Sequence, residues 1–520
     1  MGGEVLRNYF RPRFRFGVVN TVFTGDNEAM TNRTVALLTM ISALSFSCVH
    51  ADEPKTGNAP KSEPAPVIGD AINPAWAKPA PAKDADLLGR GIQRTMRLLA
   101  TSTAKKRNHV RILFYGQSIT EQQWSNQVAD DLRRRFPHAD LEIENRAIGG
   151  FSSQVLIRPA EHDVYPFNPD LVIFHVYGSH TDYEEIIKRI RGRTTAEVLL
   201  QRDHLGAGGY DPSANFENKK PGWWDNFMND EVVPRVAKEY GTGLADVRGE
   251  WIRYLELHKL KPQALLSDGV HLNEYGCYVM AQIVQQSLVY RPELAGTADK
   301  TVRDYVPGKD AVWTKNRLVM EFTGNRVELL PSAVAASGTK GGTVRVLVDG
   351  KPASTLPDCY AFTRPAPNPW ASPLSLSRVD STTPLAAEDW IMKVTEVQGD
   401  DPKTATWTYS VSGSKTGADG SGKSDAVFTS RSGRIRIEPE SFFRGFSPAL
   451  SVGHTITWRS YLLGTDVYTA TKPAEPTKEN AVLLAGGLTN GKHTLELIAD
   501  GAKPPAITAL RVYQPVYGRL

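Results

Sequence analysis

The run Leu171-Val172-Ile173-Phe174-His175-Val176-Tyr177 is apolar at every position except His175. A strand with one face in water alternates apolar and polar residues. A strand with no face in water reads as a continuous hydrophobic run, which marks a parallel sheet covered on both sides. The surrounding sequence supplies the cover. Short apolar strands read at 110–115, 141–144, 197–200 and 243–247, and helical spacing reads at 87–99, 121–136, 183–191, 231–240 and 275–289. Strands separated by helices build right-handed βαβ units, so residues 85–297 are expected to form a doubly wound α/β domain.

Beyond about Pro307 the texture changes. Short β-rich runs read at 317–322, 344–348, 407–411, 434–437, 454–458, 493–498 and 506–512, with Asp349-Gly350 and Asn490-Gly491 as hairpin-type turns. Residues 298–520 are therefore expected to be an all-β sandwich, with 412–423, rich in Gly, Ser and Lys, as an exposed loop. Residues 52–84, rich in Pro, Ala and Lys, read as an extended, mobile linker. Residues 1–51 read as an extension and signal peptide. Arg33 precedes an apolar run over 35–46, and Val49-His50-Ala51 offers a cleavage site near Ala51. The run is too short to span a bilayer, so the expected product is secreted or periplasmic, without a membrane span.

Composition narrows the partners. Lys and Arg total 61 against 57 Asp and Glu, a formal net charge of +4, which makes no case for nucleic acid. No Cys/His cluster has metal-ligand spacing, and neither a metal nor another cofactor is expected. Of the three cysteines, Cys48 falls in the segment expected to be removed. Cys277 and Cys359 either pair across domains or, as favoured here, are buried free thiols. Oligomeric state is not legible.

Two places carry chemistry. Gly116-Gln117-Ser118-Ile119-Thr120 follows the first strand and opens a helix, at the sheet edge where α/β folds place their sites. A serine there is either a helix cap or a nucleophile whose oxyanion meets backbone N–H groups. Near the far end, Ser267-Asp268-Gly269-Val270-His271-Leu272-Asn273 precedes the last helix. A hydroxyl is a poor nucleophile until a base takes its proton. Histidine is the usual base, and a carboxylate three residues away can fix its tautomer.

Four blocks in order resemble those of the SGNH (GDSL-like) hydrolases: Gly116-Gln117-Ser118, Asn145-Arg146-Ala147-Ile148-Gly149-Gly150, Gly178-Ser179-His180, and Asp268-Gly269-Val270-His271-Leu272-Asn273 with Gly276. The resemblance covers roughly 108–290. It implies a flavodoxin-like sheet and a secreted serine esterase with Ser118 as nucleophile, His271 as base and Asp268 as its orienter. The implied oxyanion hole is made by the N–H groups of Ser118 and Gly150 and by His180. Two positions depart from the family pattern. Gln117 replaces its Asp, and His180 stands where its oxyanion-hole Asn is expected.

The appended β domain loosely resembles the jelly-roll modules beside carbohydrate O-acetylesterases. That likeness implies an acetylated polysaccharide or oligosaccharide as substrate. Gln117, Trp124, Trp223, Trp224 and His204 are the candidate substrate contacts, flat indole rings being suited to sugar faces. The alternatives are a carbohydrate-binding protein on an impaired SGNH scaffold and an acylhydrolase acting on lipids or other non-sugar esters.

Overall fold

The computed structural model describes residues 73, 75–294, 300–332, 342–365, 372–399, 404–444, 449–471, 473, 475–501 and 504–517. The signal-peptide reading, its cleavage site and Cys48 lie outside these. Residues 70–520 form one compact unit.

Five strands, β1 (His109–Gly116), β2 (Asp140–Asn145), β3 (Leu171–His175), β4 (Glu197–Gln201) and β5 (Gly243–Ala245), make an all-parallel sheet in the order β2-β1-β3-β4-β5. That is the flavodoxin-like order. Every residue of β3 and β4 is buried, including the polar His175, Glu197 and Gln201 at their ends. Successive side chains leave opposite faces of a strand. Ile112, Phe114, Leu171 and Ile173 therefore join one core, with helices Trp124–Arg135, Val247–Leu257 and Glu274–Ser287. Leu113, Tyr115, Val172 and Phe174 join the other, with helices His180–Arg193 and Val233–Tyr240. Each fully buried Leu, Ile or Phe contributes about 1.5–3 kcal/mol, so the two faces hold the sheet edge rigidly.

Most of the expected linker, 52–72 and 74, lies outside the described residues, but its end, 75–84, is packed on the domain. Trp76 stacks on Tyr275 with ring centroids 5.2 Å apart, and the backbone carbonyl of Ala77 accepts from Tyr254 Oη at 2.7 Å. Gln286 and Glu250 accept the N–H groups of Ala82 and Lys83. Among 75–84 the chain is extended because it is proline-rich, but side chains of the two C-terminal helices of this domain hold it in place.

The all-β region divides into two cores. Strands from Val302–Tyr305 to Thr343–Val348 and from Val467–Thr469 to Ile507–Tyr513 enclose Leu318, Phe322, Val346, Leu495 and Val512. Between them in sequence, strands from Tyr360–Phe362 to Thr455–Leu462 enclose Trp390, Met392, Tyr409 and Trp458. The second core is thus inserted into the first. Gly417–Lys423, in the stretch expected to be a loop, is the edge strand of this inserted sheet, paired with Thr406–Gly413. Its glycine is structural: a Cβ on Gly422 would lie 2.7 Å from the Tyr409 hydroxyl. Cys277 and Cys359 are both buried free thiols. No helix among the described residues is long and apolar enough to cross a membrane.

The β region lies against the α/β sheet near the second block of the sequence. Phe443 packs on Phe151 at 4.9 Å, Arg364 Nε pairs with Asp163 at 3.1 Å, and the Val379 N–H donates to His162 Nε2 at 3.2 Å.

Candidate active site

β1 ends at Gly116, where the chain turns into the short helix Ser118–Glu121. The turn is tight: a Cβ on Gly116 would lie 2.0 Å from the His175 carbonyl oxygen at the end of β3. Only glycine lets β1 come this close to β3 here, and Thr120 Oγ1 donates to the same carbonyl at 3.1 Å. The Gln117 carbonyl accepts the N–H of Thr120 at 2.8 Å, closing the first helical turn under Ser118.

Ser118 Oγ stands 2.9 Å from His271 Nε2, and His271 Nδ1 stands 2.8 Å from Asp268 Oδ2. Residues 150 positions apart are thereby joined in one hydrogen-bonded line. Asp268 Oδ1 also accepts the N–H groups of Val270 and His271, both at 2.7 Å. These backbone donors, with the His271 ring, lower the Asp268 carboxyl to about 2. It is therefore ionised at any working pH, holding Nδ1–H and leaving Nε2 as the proton acceptor toward Ser118. The pair is open to solvent, its side chains 41% (His271) and 56% (Asp268) exposed.

An exposed turn holds its geometry only if it is pinned. Gln122, just past Ser118–Glu121, clasps Leu272 from both sides: Nε2 donates to its carbonyl at 2.8 Å and Oε1 accepts its N–H at 3.0 Å. The Ala207 N–H donates to the Gly269 carbonyl at 2.9 Å. His204 Nε2 lies 2.7 Å from the Val270 carbonyl.

The turn after β2 is tied to the nucleophile helix in the same way. Asn145 Nδ2 donates to the Thr120 carbonyl at 2.7 Å, Glu121 Oε1 accepts the Gly149 N–H at 2.9 Å, and the Ile148 N–H donates to the Gly116 carbonyl at 3.0 Å. Gly150, exposed at the end of this turn, has left-handed backbone with φ 80°. His180 opens helix His180–Arg193, its ring edge-on to Trp224 at 5.8 Å and to Phe227 at 5.5 Å.

Trp223 and Trp224 are half-buried and belong to an aromatic group with Phe216, which is 51% exposed. Lys219 Nζ sits 3.3 Å from the centroid of the Phe216 ring and 3.7 Å from that of Trp223.

Two expected substrate contacts are corrected. Trp124 is fully buried, with Nε1 donating to the Ile119 carbonyl at 2.6 Å and its ring edge-on to Phe114; it has no face to offer a sugar. His204 is 4% exposed, and both its ring nitrogens are engaged inside the protein. Glu121 and Gln122 were not read from sequence, and Asn145 was read only as part of its block. The polar residue four after the nucleophile was the one available hint for Gln122.

Among the described residues, His175, Asp203 and His204 each place a potential ligand atom within 4.8 Å of the others. His204 does not suit a cation. One of its nitrogens faces a carbonyl oxygen and the other a carboxylate, so it has no lone pair to give.

No family model matches the chain, and no curated protein matches it. Among solved structures it is similar to a two-domain esterase (CEX) active on acetylated mannans, at 13% identity and a TM-score of 0.34 over 84% of this chain and 99% of that one. The acetyl xylan esterase AlAXEase aligns with 35% of this chain and 100% of its own, at 21% identity and a TM-score of 0.30. Axe2, an acetylxylan esterase from Geobacillus stearothermophilus, aligns with 36% of this chain and 97% of its own, at 18% identity and a TM-score of 0.30.

Proposed function

We propose that this protein is a serine esterase that removes small acyl groups, acetyl above all, from the hydroxyls of polysaccharides or oligosaccharides. The observation that carries the chemistry is the Ser118–His271–Asp268 line, with spacings of 2.9 and 2.8 Å at the C-terminal edge of a parallel sheet. His271 takes the Ser118 proton as Oγ attacks the ester carbonyl. The N–H groups of Ser118 and Gly150 and the ring of His180 hold the oxyanion. His271 then protonates the leaving sugar hydroxyl, and water repeats the sequence on the acyl-enzyme. Gln117, beside the nucleophile, is a proposed substrate contact.

The polymer preference is supported by the site's openness and by the aromatic group at Phe216, Trp223 and Trp224. An exposed triad admits an inner residue of a chain, and half-exposed rings suit sugar faces. Export through the apolar run over 35–46 belongs to the same proposal, and the N-terminus of the mature protein tests it.

The functional test compares wild type with Ser118→Ala on a short-chain chromogenic acetate and on a panel of acetylated polysaccharides, reading acetate release. Release by wild type and its loss in the variant are expected. Absence of release from every ester by wild type overturns the proposal.

A further inference from the structure

Beside the exposed Asp268–His271 pair lies a second aspartate–histidine pair, its histidine buried and its aspartate partly buried, pointing at the same turn. His204 Nδ1 is 2.8 Å from Asp203 Oδ1, and His204 Nε2 is 2.7 Å from the Val270 carbonyl oxygen. A carbonyl only accepts, so Nε2 carries a hydrogen. Facing a carboxylate, Nδ1 carries one as well. Both ring nitrogens donate only in the imidazolium form. His175 Nε2 lies 2.8 Å from the same Asp203 oxygen, so one carboxylate is shared by two histidine rings.

The neighbours bear this out. Burial works against a charged His204, as does Arg248 from helix Val247–Leu257, but Asp203 and the Val270 carbonyl outweigh both and raise it above its usual range. Burial likewise works against the Asp203 carboxylate, and the two histidines outweigh that, holding it well below the usual range. Asp225, bonded to Tyr177, adds a further acidic group nearby. Trp251 closes the remaining side, edge-on to the His204 ring at 5.4 Å.

We propose that Asp203–His204 is a positioning pair for the catalytic turn: the buried imidazolium grips the Val270 carbonyl and so fixes where His271 stands against Ser118. The proposal rests on the esterase mechanism above. Val270 is itself 52% exposed and lies between Asp268 and His271, so its packing does little to hold the turn. When His204 loses its Nε2 proton, a lone pair faces the carbonyl oxygen, the grip becomes a repulsion, and the turn shifts. Activity then falls on the alkaline side. This limb belongs to His204 and differs from the acid limb that protonation of the base produces.

The test uses His204→Ala, His204→Gln and Asp203→Asn in the full chain, with kcat and KM on a soluble chromogenic acetate measured from pH 5 to 10. A displaced base costs rate more than binding, and supporting residues of this kind cost about 10–100-fold. His204→Ala is expected to lose kcat in that range with KM nearly unchanged. His204→Gln keeps a non-titrating N–H toward Val270; it should recover most of the kcat and lose the alkaline limb. Asp203→Asn should fold, as circular dichroism will show, and should move the alkaline limb to lower pH. A His204→Ala variant as fast as wild type, or an alkaline limb unmoved in both other variants, overturns the proposal.

A second measurement needs no catalysis. Nitrogen NMR of histidine-labelled wild type over the same pH range should show His204 losing its second ring proton at a higher pH than an ordinary histidine, and loss at the ordinary pH or below it overturns the proposal as well. If wild type cleaves no ester while His204 is an imidazolium, the esterase function fails and the grip stands.

Discussion

Two aspartate–histidine pairs meet at the turn 268–271, one within it and one bonded to its Val270 carbonyl, and they differ in almost everything except composition. Asp268–His271 is open to water, and backbone N–H groups keep its carboxylate charged. In Asp203–His204 the histidine side chain is only 2% exposed and the aspartate 25%, and mutual charge favours the ionised form of both partners. In the open pair the ring has one nitrogen toward a carboxylate and the other toward a hydroxyl, so a proton can move. In the closed pair the second nitrogen meets a carbonyl, which has no proton to give and no use for one. The acceptor opposite the ring, rather than the presence of an Asp–His pair, separates a base from a strut.

The largest effect that sharpens this contrast is in kcat. His271→Ala should reduce it by about 10⁴-fold or more, whereas His204→Ala should stay within about 100-fold. Asp268→Asn should cost about 10⁴-fold, because a neutral amide no longer fixes the tautomer. Equal losses for the open and the closed histidine would erase the distinction. The Asp268 carboxyl titrates only near 2, so it contributes no limb to the activity profile above about pH 3.

The next effect separates half-buried tryptophans from a fully buried one. Trp223→Ala and Trp224→Ala should raise KM for acetylated polysaccharide about 10-fold, with little change for a small acetate, since stacking of this kind contributes about 0.5–1.5 kcal/mol per ring. Trp124→Leu should leave both KM values alone and lower stability by a few kcal/mol, as expected for a large side chain removed from a packed core. Steady-state kinetics on both substrates and thermal melts distinguish the two classes. A Trp124 variant with a raised polymer KM would return that residue to the substrate path.

The difference between Trp124 and Trp223 also shows what could be read from sequence. The parallel sheet was legible because β3 and β4 have apolar centres, Leu171–Phe174 and Val198–Leu200, and Ser118 and Asp268-x-x-His271 were legible because each is a contiguous motif at the end of a strand or the start of a helix. The grip of His204 on Val270 spans 66 positions and has no local signature. The aromatic identity of Trp124 says nothing of which helical face it occupies; only the assembled core does. Trp76 in its proline-rich segment was missed because its partner, Tyr275, comes from the last helix of the domain. In Gly417–Lys423 a loop-like composition conceals a strand, since the aromatic ring that needs those glycines, Tyr409, lies on the neighbouring strand.

A third buried histidine gives the smallest and most discriminating test, because burial alone should not set a histidine's charge. His162 accepts the Val379 N–H and faces Arg378 and Arg364 in place of an aspartate. Burial first, and those arginines second, lower it to about 3, so in the folded protein it stays neutral where His204 is charged. The folded value lies below the ordinary 6.5, so between the two the unfolded chain binds a proton that the folded chain refuses. Stability from His162 is therefore complete above about 6.5 and is lost as pH falls toward 3. Asp163 acts oppositely: burial raises it to about 6, so the folded chain holds a proton between that value and 3.8, and stability grows as pH falls through this window. Removing the histidine should expose this opposing trend. Urea unfolding at pH 7.5 and 4.5 should show wild type losing about 2 kcal/mol more between the two conditions than His162→Gln does. Equal losses in the two proteins would mean that His162 is protonated alike in the folded and unfolded chains, and that burial beside arginines does not distinguish it from His204.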